Sequence, residues 1–394
     1  MNSSVMPTYA RAPMAFVKGS GSWLTDESGQ EFLDFGAGIA VNILGHAHPQ
    51  LVDVLTRQAG EIWHTSNLYR IPAQERLADL LVDKTFADTV FFTNSGTEAT
   101  EAAVKMTRRY WYHHGCPERH EILTLRESFH GRTISMISAA GTPKLVEGFG
   151  PLTPGFRQLP PGDIDEVAAA ITDTTAAIMV EPVLGEGGII PLSDGFLRAL
   201  RELCDQTGVL LVLDEIQCGM GRTGKLFAHE WAGISPDIMA IAKGIGGGFP
   251  LGACLATGKA AAGMTAGTHG STYGGNPLAC SVGAEVLKIV SEESFLASVR
   301  QHSGQLRQKL ESVVATHPEI FSEARGSGLM LGLACRIPSH QVISAGYQEK
   351  ILTVPAAGDV VRILPPLNIS DAEIEEGCER VDRAAMRLEG DGHA

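Results

Sequence analysis

The chain has 394 residues, 44% of them hydrophobic and 19% charged, with a formal net charge of −14. That length suits two domains around a large core, and an acidic chain without a Lys/Arg-rich run argues against nucleic acid and anionic membrane surfaces as partners. No run approaches the roughly 18 apolar residues of a membrane-spanning helix, although small acidic substrates stay open because one or two pocket arginines do not show in a net charge.

The opening MNSSVMPTYARAP lacks the apolar core of a secretory signal. WLTDESGQEFLDF, within the first 45 residues, reads as a hairpin. Short apolar runs then alternate with helical patterns. Strands are expected at 89–93 (TVFFT), 121–125 (EILTL), 176–181 (AAIMVE), 209–214 (VLLVLD) and 238–242 (IMAIA). Continuous apolar runs point to strands covered on both faces. Helices are expected at 96–110 and at 194–206, the second closed by Gly208. This alternation predicts an α/β domain with a parallel sheet. After residue 280 come a long helix candidate (278–312), then ARGSGLMLGLAC, VVRILPPLNIS and a charged amphipathic helix at 371–388. We therefore expect a large domain over 46–280 and a smaller α+β domain from 1–45 and 281–394. The closing EGDGHA (389–394) reads as a frayed tail.

Seven cysteines (116, 204, 218, 254, 280, 335 and 378) are scattered without a CxxC pair, which fits a reducing cytoplasm and no disulfide framework. His46, His48, His113 and His114 lack further Cys/His ligands at metal-site spacing, so no metal is expected.

In an open parallel sheet, ligands bind beyond the carboxyl ends of the strands. All five strand ends carry polar or ionisable groups: Asn94-Ser95-Gly96-Thr97-Glu98, the RESFHGR stretch from Arg126 to Arg132, Glu181, Asp214-Glu215 and Lys243. Asn-Ser-Gly-Thr at a helix start offers free amides, hydroxyls and the positive end of the helix dipole, a seat for phosphate; ordinary N-capping by Ser95 or Thr97 is the plainer alternative. Asp214 is either a buried acid satisfied by amides or the partner of a protonated ring nitrogen. Lys243 is either a strand-end lysine reaching water or a desolvated, nucleophilic amine suited to a Schiff base. Phosphate seat, buried acid and strand-end lysine together match pyridoxal 5'-phosphate, and the glycines after Lys243 permit close backbone approach. A nicotinamide enzyme using GIGGGFPLG as its phosphate loop is the rival from another class, but the cluster lacks GxGxxG spacing after an early strand.

NSGTEATEAAVK, SFHGRT, VEPVLGEGG, LDEIQCGMGRTGK, AKGIGGGFPLGA and HGSTYGGNPLAC, in this order from about residue 10 to 385, resemble the signatures of the class III aminotransferases. The resemblance implies a fold type I, pyridoxal-phosphate-dependent homodimer. Its large α/β domain would have a mainly parallel seven-stranded sheet, with a smaller α+β domain beside it. By motif position Ser95, Gly96 and Thr97 would hold the phosphate, Phe129 would stack on the ring, Asp214 would pair with the ring nitrogen and Gln217 would contact the phenolic oxygen. Lys243 would carry the aldehyde, and Thr272 would complete the partner's phosphate site. Arg132 and Arg362 are the expected carboxylate forks, and Glu186 is a loop carboxylate without a role or a cover for Arg362. Within the family, AGIAVNILGHAHP, SFHGRT and VRILPPL point to transfer of the δ-amine of N2-acetylornithine to 2-oxoglutarate. Ornithine, succinylornithine and 4-aminobutyrate are the alternative amines.

Overall fold

The structure, a computed structural model, describes residues 4–391. Its N-terminal hairpin is built from β1 (Phe16–Ser20), β2 (Trp23–Asp26) and β3 (Glu31–Asp34), all antiparallel. The centre is a seven-stranded sheet of β4 (Thr89–Thr93), β5 (Glu121–Leu125), β6 (Phe156–Leu159), β7 (Thr175–Val180), β10 (Leu210–Asp214), β11 (Ile238–Ile241) and β12 (Gly252–Ala256), in the order β4-β12-β11-β10-β7-β5-β6. Between them in sequence, β8 (Val183–Leu184) and β9 (Ile190–Pro191) pair as a two-stranded ribbon. Toward the C-terminus, β13 (Phe321–Ser327), β14 (Met330–Cys335), β16 (Val354–Ala356) and β17 (Val360–Ile363) form an antiparallel sheet, while β15 (Ile351–Leu352) joins β3 of the N-terminal sheet in parallel. That pairing ties the two ends of the chain together.

Every residue of β7, β10 and β11 is buried. These strands pair in parallel, so helices can cover both faces and the apolar runs need no alternation. β12 is the exception: it runs antiparallel to both β11 and β4. The sequence reading missed β12 (GACLA) and β6 (FRQL). GACLA follows a glycine cluster and has one β-branched-free, small-residue run that propensity does not favour as strand; its burial between two neighbours decides the matter.

The helix Gly96–His113 starts where the sequence predicts. Ser95 Oγ accepts from Glu98 N at 3.3 Å, and Glu98 reaches back to Asn94 N at 2.6 Å. The helix Asp194–Thr207 ends on Gly208 at φ 73°. The expected single helix over 278–312 is instead two, Pro277–Val290 and Glu293–Thr316, broken at Ser291-Glu292. The polar run Ser291-Glu292-Glu293-Ser294 interrupts the apolar pattern between Val290 and Phe295 and marks the break. The last helix, Asp371–Asp391, extends into the stretch read as a tail, whose final residues 392–394 lie outside the described part.

One turn departs from ordinary backbone. Ala37, Gly38, Ile39 and Ala40 have φ of 45°, 64°, 64° and 60°, a left-handed turn containing three residues with side chains. Asp34 holds its start, accepting from Gly36 N and Ala37 N at 2.9 Å each, while its other oxygen meets His46 Nε2 at 2.7 Å. The turn delivers Val41 to the wall of the main cavity.

Candidate active site

Beyond the carboxyl ends of the central strands lies a cavity of about 400 Å3. Ser95, Gly96, Thr97, Phe129, Asp214, Gln217 and Lys243, which come from four separated stretches of sequence, all line it. Arg132 is also at its wall. Glu186 and Arg362 stand just behind, and Thr272 is exposed and away from this chain's own cavity.

Lys243 follows β11 and opens a short 3-10 turn with φ 48°, a conformation costly for a residue with a side chain. What surface it retains opens into the cavity. Burial lowers its ammonium to about 8; Glu186 acts against this shift and Arg362 with it. A neutral fraction on the order of one in ten is therefore present at pH 7. The glycines after it serve the fold as much as any ligand. A Cβ on Gly244 would lie 3.0 Å from Met220 Cβ, and one on Gly248, at φ 114°, would lie 2.7 Å from Asn42 Oδ1.

Asp214 ends β10 with 2% exposure. Its Oδ1 accepts from Ile216 N at 3.1 Å and its Oδ2 meets His130 Nδ1 at 2.8 Å. His130 is itself buried, and its Nε2 has no partner among the described residues. Burial opposes a charge on His130, but the hydrogen bond and charge of Asp214, with the charge of Glu181, outweigh it and raise the imidazole above its ordinary value. Glu181, at the end of β7, accepts from Phe129 N at 2.7 Å and Gly185 N at 3.2 Å. Burial first, and then Asp214, push its carboxyl up to about 7. Sequence reading placed Glu181 at a strand end without a role and passed over His130. The HG pair in SFHGR was the available signal, but nothing local says that this imidazole meets a carboxylate 84 positions away.

At the other wall, Phe129 lies under the Arg132 guanidinium, 5.4 Å from ring centroid to Cζ. Gly131, at φ 135°, lies so close that a Cβ would come within 2.1 Å of Thr97 Oγ1. Arg132 N donates to that same Oγ1 at 3.1 Å. Arg362, on β17 and 2% exposed, donates to Glu186 Oε1 at 2.5 Å, to Gln217 Oε1 at 3.2 Å and to the Pro355 carbonyl at 2.8 Å. Glu186 is therefore the sole carboxylate on this buried cation among the described residues.

These residues fit pyridoxal 5'-phosphate. The first amides of the helix Gly96–His113 have no partner within the helix, and Ser95, Gly96 and Thr97 bring them to the cavity wall. A buried carboxylate and a partly buried, weakly basic amine face the same space. Among the described residues no group of three or more His, Cys, Asp or Glu could hold a metal ion, and His46 is taken by Asp34.

The profile of the family described as aminotransferase class-III matches residues 5–385. The chain is 64% identical to the acetylornithine aminotransferase of Rhodobacter capsulatus over 389 residues, covering 99% of each protein. It is 55% identical to that of Mesorhizobium japonicum over 386 residues, 98% of this chain and 97% of the relative. Among solved structures it is similar to an ornithine aminotransferase from Toxoplasma gondii, described with partial occupancy of PLP at its active site. That likeness has a TM-score of 0.95 at 32% identity, covering 99% of this chain and 94% of the other. N-acetylornithine aminotransferase from Stenotrophomonas maltophilia superposes with a TM-score of 0.86 at 39% identity, covering 97% and 98%.

Proposed function

The chain belongs to the class-III aminotransferases, and from that premise we infer that it transfers the δ-amino group of N2-acetylornithine to 2-oxoglutarate, giving N-acetylglutamate 5-semialdehyde and glutamate. The end-to-end identity with relatives named for acetylornithine carries this reading of the substrate. The overall shape does not choose, since an ornithine enzyme superposes at least as well.

Pyridoxal 5'-phosphate, when bound, supplies the aldehyde that receives the amino group and a ring that draws off negative charge. The residues proposed to hold it are Ser95, Gly96 and Thr97 for the phosphate, Phe129 for the ring face, Gln217 for the phenolic oxygen and Asp214 for the ring nitrogen. His130 orients Asp214 and Glu181 balances the charge of the pair. Lys243 is the nucleophile and the proton carrier. Because burial lowers its ammonium to about 8, its neutral form can accept a proton from the carbon bearing the amino group near physiological pH.

The two amino donors pose one problem. Glutamate bears a carboxylate on its reacting carbon, whereas acetylornithine has none there. The arginine that grips that carboxylate would be left as an unpaired buried cation when acetylornithine binds, which is costly. Arg362 is that arginine and Glu186 its substitute partner: the pair stands closed for acetylornithine and opens when glutamate or 2-oxoglutarate enters. Arg132 holds the distal carboxylate of either substrate.

The division into a large domain (46–280) and a smaller one (1–45 with 281–394) goes with this reading, as does a homodimer in which Thr272 of each chain completes the other's phosphate site. An exposed apolar surface supports the dimer. Trp63, Leu68, Tyr69 and Tyr273 are 64%, 88%, 70% and 62% exposed, and Asn67 Nδ2 binds the Ser271 and Gly274 carbonyls, so the two segments lie together. No described helix is long and apolar enough to cross a membrane, and we place the enzyme in the cytoplasm. Single-turnover conversion of the aldehyde form with N2-acetylornithine, ornithine, N2-succinylornithine and 4-aminobutyrate tests the substrate; a higher kcat/KM for ornithine or 4-aminobutyrate than for acetylornithine would overturn it.

A further inference from the structure

Glu186 and Gln217 share one cation. Arg362 Nη1 donates to Glu186 Oε1 at 2.5 Å and to Gln217 Oε1 at 3.2 Å. Glu186 belongs to the pair that opens and closes. Gln217 lies three residues after Asp214, lines the Lys243 cavity and is 7% exposed. One guanidinium thus touches a group of the substrate end and a group of the cofactor end.

That contact decides which way the Gln217 amide faces. A Cβ on Gly185 would lie 2.6 Å from Gln217 Cδ, 2.7 Å from its Nε2 and 2.7 Å from its Oε1. The amide therefore lies flat against the bare Cα of Gly185, with its two ends equally near. This packing fixes the plane of the amide and not its sense, because a half-turn about Cγ–Cδ exchanges nitrogen and oxygen without changing the fit. A guanidinium carries donors only, so the atom that faces Arg362 has to be the oxygen. Nε2 then points away from Arg362. It takes no hydrogen-bond partner among the described residues and, on a residue that lines the cavity, it is not closed off. Gly185 is itself tied to the cofactor end, since its N donates to Glu181 Oε2 at 3.2 Å.

We propose that Arg362 is also a positioning residue for the cofactor: by holding Oε1 it aims Gln217 Nε2 at the phenolic oxygen, and a change at the Glu186–Arg362 pair passes through that amide to the ring. This role rests on the reading of Gln217, Arg362 and Glu186 given above. When the guanidinium turns to a substrate carboxylate, the amide loses its anchor and donates less well. An oxygen that accepts a hydrogen bond holds a proton less tightly. The ring therefore gives up the proton beside its phenolic oxygen more easily with the pair closed than with it open.

A double-mutant cycle on the holoenzyme, with no amino substrate present, tests the relay. The readout is the pH midpoint of the bound cofactor's visible absorbance, which follows that proton, with melting temperatures as a check on folding. Lys243, Asp214, Glu181, His130 and Arg132 line the same cavity, and Glu186 is felt by Lys243. Their charges act on the same proton, so single variants do not decide, but they are common to both backgrounds of the cycle. Gln217→Ala is expected to raise the midpoint by about one pH unit, the scale of one net hydrogen bond. Arg362→Ala should raise it by about half a pH unit or more in the wild-type background and add little in the Gln217→Ala background. If Arg362→Ala moves the midpoint equally in both backgrounds, its influence runs through charge alone. The relay is then wrong, while the contact of Gln217 with the phenolic oxygen stands. If Gln217→Ala leaves the midpoint in place, the amide does not reach that oxygen, and the reading of Gln217 fails together with the relay.

Discussion

The two ends of the active site set charge in different ways. At the cofactor end, Asp214, His130 and Glu181 are all under 5% exposed and locked by hydrogen bonds from the backbone and from each other. Their positions are fixed by one another and by the backbone amides they accept from. At the substrate end, Arg132 is exposed and Glu186 keeps about a third of its side chain in contact with solvent. Only Arg362 is buried there, and it leans on a partner from a loop. A desolvated cluster locked by its own hydrogen bonds keeps one geometry. A buried cation with a half-exposed, replaceable carboxylate can serve two substrates of different charge in turn. On the proposed assignment, the locked cluster would serve the ligand that stays and the replaceable carboxylate the ligands that alternate.

The comparison can be broken most strongly at the cofactor end. Lys243→Ala is expected to abolish turnover with the fold retained. Loss of a general base alone costs about 10²–10⁴-fold, so a residual rate above about a hundredth of wild type, measured over many turnovers, would remove Lys243 from the chemistry. Asp214→Asn should keep some cofactor while losing most activity, because an amide cannot stabilise a protonated ring nitrogen by charge. A near-normal rate would mean that the rigid cluster is not what holds the ring.

The substrate end should instead split the two half-reactions. Arg362→Ala is expected to slow the glutamate half-reaction by roughly 30-fold or more, the scale of a truncated charge pair, and to affect acetylornithine far less. Glu186→Gln should do the reverse, slowing acetylornithine and sparing or speeding glutamate. Stopped-flow traces of each half-reaction decide the point: equal losses in both halves for both variants would make this pair as rigid as the other end.

The smallest effect concerns stability without cofactor. A carboxyl whose folded value is raised to about 7, against an ordinary value near 4.5, binds more protons folded than unfolded between those pH values. Its penalty is absent below about pH 4.5, builds up as pH rises from there to about 7, and stays constant above it. Glu181→Gln removes that penalty. Denaturant unfolding of the apoprotein should show the variant gaining on wild type, by on the order of 1–3 kcal/mol, between pH 5 and pH 8. A gain independent of pH would mean that Glu181 is already charged in the folded chain, balanced by His130.

Much of this was legible in the sequence because it is local. Apolar runs such as TAAIMV and LLVLD bury themselves whichever way they pair, Ser95 caps the helix that follows it, and the polar groups at strand ends fall together because parallel strands share one carboxyl edge. The misses share a cause. GACLA became a central antiparallel strand because β4 and β11 stand on either side of it. The helix expected over 278–312 broke at Ser291-Glu292, where the polar run to Ser294 interrupts the apolar period. The left-handed turn at Ala37–Ala40 is held from outside, by Asp34 on its first amides.

The sequence by itself determined that the chain is an α/β protein with a capped helix start, an acid and a lysine at strand ends, since short-range periodicity, capping and motif order need no distant partner. Only the tertiary structure decided that His130 stands against Asp214 and that Glu186 closes on Arg362 across 176 positions. Hydrogen bonds and desolvation act over a few ångströms in space, and separation along the chain does not report that distance.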